Sequence, residues 1–456
     1  MKYRPLILLL IAVTVALAVA PLPILLGEDE AEDPPKKVAE LKVTEQYSLG
    51  GKGNEDALAL SADGRGGFWM IMLTNSAFSV GKSVVKASKT MERYVGRFDV
   101  EKRWEWAENL KTRYRDDFQK FDVAATADFG WIGGVYPKNL KDEKSGDNAF
   151  ITRMGNDNVV KVKQEFGGPV NDIFCALCLD GGTGVWVACE IKGPTKIGEL
   201  KVKQGETRSL VIHFDAEAKV LACAEISSDG SLHISDMCLA PDGGVWVTGV
   251  YTGAAGFGKE LLTGGTSNQA FLARCDSAGK WQLVRSAQGG ETLGIKVCPD
   301  GKGGCWLTGT IAGSSKFCQI ELDAANQVDT YVARIAPNGN CEAANTLPGL
   351  LINNVAGICA MGPDSCWVLV NTYAGESIRN PQYRKETLIA LVDAQCNIIG
   401  QHKLTDNHTY GGDICCDAAG GCWVTGNYQE VMTYNNVSLI PRGGTEIFVL
   451  RVAPPK

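Results

Sequence analysis

The stretch "CPDGKGGCWLTG", Cys298 to Gly309, places a glycine-rich turn between two cysteines and follows it directly with a tryptophan. Related strings recur: "SADGRGGFWMI" begins at Ser61, "CLDGGTGVWVA" at Cys178 and "CLAPDGGVWVTG" at Cys238, while "CDAAGGCWVTG" ends at Gly426. Outward from these, Trp69, Trp131, Trp186, Trp246, Trp306, Trp367 and Trp423 are separated by 62, 55, 60, 60, 61 and 56 residues. Repetition on this scale belongs to solenoids and propellers, in which each unit buries its apolar faces against its neighbours.

Each unit reads as four strands. Strand a is short and apolar, as in "DIFCALCLD" from Asp172, and a Gly/Asp turn after it supplies the positive φ that hairpins need. Strand b carries the tryptophan, as in "GVWVTGVY" from Gly244. After a long, variable connection comes strand c, as in "QAFLARCD" from Gln269 or "EIFVLRVA" from Glu446, and a short polar turn leads to strand d, as in "KWQLVRSA" from Lys280. No long segment of the repeated region has apolar residues at i, i+3, i+4 and i+7, which excludes a helical solenoid. The expected fold is therefore all-β: a seven-bladed β-propeller of four-stranded antiparallel blades. Its termini complement each other. The last unit stops after strand c at "VLRVAPPK", and "LKVTEQYSLG" from Leu41 precedes the first unit with the character of a strand d, so the ring is expected to be closed by the N-terminal strand.

The repeats tile nearly all of the 456 residues, leaving one large domain over residues 41–456. Residues 1–27 read as a signal peptide or an N-terminal membrane anchor, because the basic Lys2 and Arg4 precede an apolar run from Pro5 to Gly27. Small residues at Ala18 and Ala20 offer a cleavage site, whereas resumption of the apolar run to Leu26 suits a tether through residues 5–27; both readings stand. Residues 28–40 form an acidic, proline-containing linker. The expected location is the periplasm, cell envelope or exterior. A net charge of −7 with both signs interspersed gives no basic stripe, which argues against nucleic acid.

Export gives the 16 cysteines a structural reading. Cys298 with Cys305, Cys359 with Cys366, and Cys415 with Cys422 share a separation of seven and are expected to form local disulfides across the a-to-b turn. Each would contribute about 2 to 3 kcal/mol. The other ten have no assigned pairing. A metal is not expected, since no pair of Cys-x2-Cys motifs occurs at zinc-ligand spacing.

The unit, with its aromatic followed by "VTG", its long connection and then "AFLARCD", resembles the bacterial β-propeller repeats called SBBP repeats. "DGGVWVTG" at Asp242 to Gly249 with "QAFLARCD" at Gln269 to Asp276 carries the resemblance, as does "AGGCWVTG" at Ala419 to Gly426 with "EIFVLRV" at Glu446 to Val452. Tryptophan stands where tyrosine is usual, and arginine at Arg97, Arg153, Arg274, Arg334 and Arg451 where lysine is usual. The resemblance implies a propeller of an exported or surface protein and no catalytic residues.

Function is expected where the repeats differ. With strand a innermost, the b-to-c connections lie on one rim and include the segments from Tyr251 to Asn268 and from Asn427 to Gly444. Long loops on a rigid scaffold are the ordinary place for recognition. Tyr251, Phe257, Tyr373, Tyr383, Tyr428 and Tyr434 are the expected ligand rim, for an envelope or extracellular protein or a glycan. His213, His233, His402 and His408 are scattered, so no catalytic residue, metal or cofactor is expected. Asp56, Asp172, Asp236 and Asp413 lie in or near strand a, 13, 14, 10 and 10 residues before their tryptophans, and so do not share one ring. The expected function is a non-catalytic binding or structural scaffold. The alternative is an enzyme, a lyase or glycan-active hydrolase, with carboxylates at the axial channel.

Overall fold

The computed structural model describes residues 38–455 apart from 100, 102, 114–119, 138–145, 318, 348, 350–351, 361, 375–383, 405–408 and 435–436. Residues 1–27, and the linker up to residue 37, lie outside the described residues. The fold is an all-β propeller, with no helix among the described residues.

The Trp69 sheet shows the unit. Strands a to d are Glu55–Ala62, Phe68–Thr74, Glu92–Phe98 and Trp104–Arg113, paired antiparallel in that order. Strand b is buried along its whole length, because a neighbouring sheet covers each face. Outer strands are more exposed, as in Val160–Phe166 of the Trp131 sheet. The Trp246 and Trp306 sheets are joined without a break by Trp281–Pro299, which serves as strand d of one and strand a of the next. Lys42–Leu49 pairs antiparallel with Glu446–Ala453, the last strand of the chain, in a sheet with Cys422–Tyr428 and Tyr410–Cys416. The expected linker is one strand shorter than read: Ala39–Glu40 pairs parallel with Ile398–Leu404 and covers the outer edge of the Trp367 sheet.

The tryptophan, threonine and glycine of the "WVTG" motif each have a physical reason. Six indole N–H groups donate to a carbonyl in the a-to-b turn of the following sheet: Trp131 to Thr183, Trp186 to Gly243, Trp246 to Gly303, Trp306 to Gly362, Trp367 to Gly420 and Trp423 to Gly66, at 3.0–3.3 Å. All seven rings are buried, each burial worth about 4 to 6 kcal/mol. The threonine hydroxyls of Thr248, Thr308 and Thr425 donate to strand c carbonyls of Phe271, Tyr331 and Phe448. The glycine is required by close approach: a Cβ on Gly309 would lie 1.7 Å from the Leu293 carbonyl, and one on Gly249 would lie 2.1 Å from that of His233.

Trp69 is the exception, its Nε1 having no partner among the described residues. The second repeat's hairpin is one residue shorter: Trp131 faces Ala124, seven residues back, whereas Trp186 faces Cys178 and Trp306 faces Cys298, eight back. The shortened turn does not present a carbonyl to Trp69.

Candidate functional site

Most of the described b-to-c connections are small β-hairpins. They comprise Phe78–Val80 with Ser83–Val85, Thr195–Ile197 with Leu200–Val202, Ala254–Phe257 with Glu260–Thr263, the end of Cys305–Phe317 with Ile320–Asp323, and Met432–Tyr434 with Val437–Leu439. They fold against outer strands instead of standing free. Ile226 of one strand d pairs with Phe257 of the next repeat's hairpin, and Ala287 pairs likewise with Phe317. This pairing occupies edges that would otherwise be open.

It also corrects the expected aromatic rim. Tyr251, Phe257 and Tyr428 are buried. Phe257 packs on Phe271 and Trp281, while the Tyr251 hydroxyl is 2.7 Å from Ser286 Oγ, and that of Tyr428 donates to Glu446 at 3.2 Å. Tyr251 and Tyr428 are the last residues of their b strands, and Phe257 sits on a hairpin arm with one face on the sheet, so all three rings point into the packed layers. Tyr373 and Tyr434 are half-buried, Tyr434 lying 5.4 Å from the His402 ring. Tyr383 and His408 lie outside the described residues. What the hairpins expose is aliphatic: Val84, Leu261, Val431, Val437 and Ile440.

The expected disulfides are also corrected: all six cysteines are free thiols. Register gives the reason. Cys298 faces Trp306 while Cys305 faces Pro299, so the two side chains leave opposite faces of the hairpin. Cys359 and Cys366, and Cys415 and Cys422, are offset in the same way. Cys298 accordingly packs with Trp306 and Cys366, and Cys305 with Trp246 and Cys238. The residue directly opposite Cys422 is Cys416, which is in hydrogen-bonding contact with Cys359 of the preceding repeat. Burial pushes the Cys359 thiol well above the ordinary range.

The axial acids are closer to a ring than their sequence offsets indicate. Asp122, Asp236, Lys296 and Asp413 face Gly133, Thr248, Thr308 and Thr425, each two residues beyond its tryptophan. The shorter second hairpin hides Asp122 from a count of offsets. Burial pushes the Asp122 carboxyl up to about 6, opposed by Lys120 and Lys296, and raises that of Asp413, opposed by Lys296. Burial alone would push the Lys296 ammonium down, but Asp413, Asp236 and Asp122 hold it above its ordinary value. Lys120 Nζ donates to the Ser235 carbonyl at 2.5 Å, a contact from the second repeat to the fourth.

Asp56 and Asp172 lie elsewhere. Asp56 accepts from Asn427 Nδ2 at 2.8 Å, and Asp172 accepts the amides of Gly168 and Lys192 at 2.9 and 2.8 Å. His213 stacks on Trp186 at 4.4 Å with Nε2 3.0 Å from Asp180, which fits a packing role in the slot other repeats give to arginine.

No family model matches the sequence, and no curated protein matches it. Similar solved structures include one described as YCF48 bound to D1 peptide, at 10% identity and a TM-score of 0.45, covering 92% of this chain and 100% of that one. Hydrazine synthase of Kuenenia stuttgartiensis matches at 10% identity and 0.43, covering 91% and 99%. Puromycin hydrolase in complex with PGG matches at 10% identity and 0.44, covering 82% of this chain and 50% of that one. Likeness at this level says nothing of function; the fold rests on the strand pairing.

Proposed function

We propose that the chain is an exported, non-catalytic binding scaffold: a seven-bladed propeller, closed by Lys42–Leu49, whose b-to-c rim meets an envelope or extracellular protein. Support for closure comes from three links between the last repeat and the first. Lys42–Leu49 pairs with Glu446–Ala453, Trp423 Nε1 donates to Gly66, and Asp413 Oδ2 accepts Leu60 N at 2.8 Å. The "WVTG" and "AFLARCD" pieces support assignment to SBBP-type repeats, and the apolar run at residues 5–27 supports export with either cleavage or retention as a tether.

The observation that carries the binding role is aliphatic exposure on one rim. Of the ten large hydrophobics exposed among the described residues, five stand on b-to-c hairpins: Val84 at 70%, Leu261 and Ile440 at 65%, Val437 at 53% and Val431 at 51%. A glycan would need exposed rings to stack on, and the rim's described aromatics are buried or half-buried. A protein partner fits the aliphatic surface better.

The test combines Val84→Ser, Leu261→Ser, Val437→Ser and Ile440→Ser, with Val160→Ser and Leu221→Ser on outer strands as control. Crosslinking in an envelope fraction, followed by mass spectrometry, should give a partner adduct that the rim variant loses and the control keeps. An adduct retained by the rim variant, or none with the wild type, refutes the role.

A further inference from the structure

We propose that Cys175, Glu190 and His233 form a site for a borderline divalent metal ion, of the zinc class, at the seam between the Trp186 and Trp246 sheets. This inference is independent of the rim's partner. Three separate pieces of chain bring the ligands together. Cys175 is the extra residue of a β-bulge, since Phe174 pairs with Cys189 and Ala176 with Ala188, leaving Cys175 with no cross-strand partner. Glu190 lies near the end of strand b, opposite Ile173. His233 is the second residue of strand a of the following repeat, Leu232–Leu239, opposite Val250.

One ligand atom from each residue lies within 4.8 Å of the other two, and His233 Nδ1 is 2.9 Å from Glu190 Oε1. Around tetrahedral zinc, with Zn–S near 2.3 Å and Zn–N or Zn–O near 2.0–2.1 Å, neighbouring ligand atoms stand about 3.3–3.6 Å apart. Shifts of about 1 Å, within reach of side-chain torsions, would convert the present arrangement into a coordination set.

The donor chemistry suits such an ion. A thiolate, an imidazole nitrogen and a carboxylate oxygen select zinc-like metals over magnesium or calcium, which prefer oxygen alone. The amides of Ile234 and Glu190 are in hydrogen-bonding contact with the Cys175 sulfur and hold it in place. Thiolate and carboxylate together neutralise the two charges of the metal. Access is also provided: Cys175 is buried and the Glu190 side chain is 12% exposed, but that of His233 is 48% exposed. Ion entry and a fourth ligand, water or a group from a bound molecule, would come from the His233 side.

The experiment is a cobalt(II) titration of the reduced full chain. One equivalent should bind, with tetrahedral visible bands and near-ultraviolet thiolate-to-cobalt charge transfer, and zinc should displace it. His233→Ala, at an exposed position, should weaken binding by at least about 10-fold, as a ligand loss should exceed the effect of removing an outer-shell partner. Cys175→Ser should abolish the charge-transfer band, and Glu190→Gln should weaken binding as His233→Ala does. A charge-transfer band that survives in Cys175→Ser would assign the metal to another of the cysteines and overturn the site. So would equal affinity in wild type and His233→Ala, or no binding at all.

Discussion

Replacing Trp306 and Trp69 separately by phenylalanine gives a measurement in which most of the perturbation cancels. Both indoles are fully buried, and both occupy the same place in their repeats. Each substitution leaves a similar void, worth about 1 kcal/mol beyond the lost transfer energy. The polar atoms differ. Trp306 Nε1 donates to Gly362 O at 3.1 Å, whereas Trp69 Nε1 has no partner among the described residues. Trp306→Phe should lose the net value of one hydrogen bond, about 1 kcal/mol. Trp69→Phe should lose no bond and should also remove a buried unsatisfied donor, which costs about 1 to 3 kcal/mol. The gap between the two should therefore be about 2 to 4 kcal/mol, with Trp69→Phe the milder. Urea unfolding with an unchanged m-value reads it as a difference in midpoint. Losses equal to within about 0.5 kcal/mol would show that the indole links do not hold neighbouring sheets together as argued.

Deleting residues 41–49 should expose the edge of Glu446–Ala453 and produce aggregation visible by light scattering; a monomeric truncation with wild-type stability would refute closure. Peptide mapping of the non-reduced protein should find no bond from Cys298 to Cys305, Cys359 to Cys366 or Cys415 to Cys422, and any bond in this region should join Cys359 to Cys416. Asp122 takes up its proton near pH 6 when folded and near 3.8 when free, so its charged form costs stability above about pH 6. That cost, up to about 3 kcal/mol, is relieved as pH falls from 6 towards 4. Asp122→Asn should remove this contribution from the stability profile, and a wild-type minus variant difference independent of pH would contradict it. Asp236→Ala should lower stability by about 1 to 3 kcal/mol in the same unfolding assay, because Val297 N loses its acceptor; a loss below about 0.5 kcal/mol would deny the bond that role.

The propeller was legible because its determinants are periodic. The tryptophan spacing, the turn glycines and the polar strand ahead of Trp69 all report short-range geometry that recurs. What the sequence concealed was sidedness. A separation of seven between Cys298 and Cys305 looks like a bridge across a turn, but the cross-strand partner of Cys298 is eight residues away at Trp306, and a shift of one residue reverses the face. The rim aromatics were misread for a related reason. Loop composition does not say where strand b ends or which way a hairpin folds: Tyr251 and Tyr428 still belong to strand b, Phe257 lies on a folded-back arm, and all three are buried. Cys175, Glu190 and His233 could not be grouped from spacing, since a bulge and a seam between repeats bring them together. Asp122 was missed because its repeat is one residue short, a signal that counting from Trp131 alone could not register.

The axial carboxylates carry a consequence for the enzyme alternative. Asp122, Asp236 and Asp413 each accept a strand a amide of the following repeat: Leu177 N at 3.3 Å, Val297 N at 3.0 Å and Leu60 N at 2.8 Å. Ser61 Oγ does the same for Ala125 N at 3.0 Å. Of these clips between sheets, Asp122 and Asp413 have both oxygens committed, the second ones accepting Val123 N and Ile414 N at 2.8 and 2.9 Å, whereas a catalytic acid or base must keep an oxygen aimed at substrate. Their distribution fits clipping better. The acids stand in the second, fourth and seventh repeats, while Ala59, Ala176 and Gly357 fill the matching positions of the first, third and sixth. No two acids are therefore in adjacent repeats, which separates the like charges. Lys296 fills the same position in the fifth repeat, where its charge is shared among all three acids. Glycoside hydrolysis needs two carboxyl groups with opposed protonation and a free space between them. Here the Lys296 ammonium is attracted to all three acids, so the departures from strict repetition are better explained by joining the sheets than by catalysis.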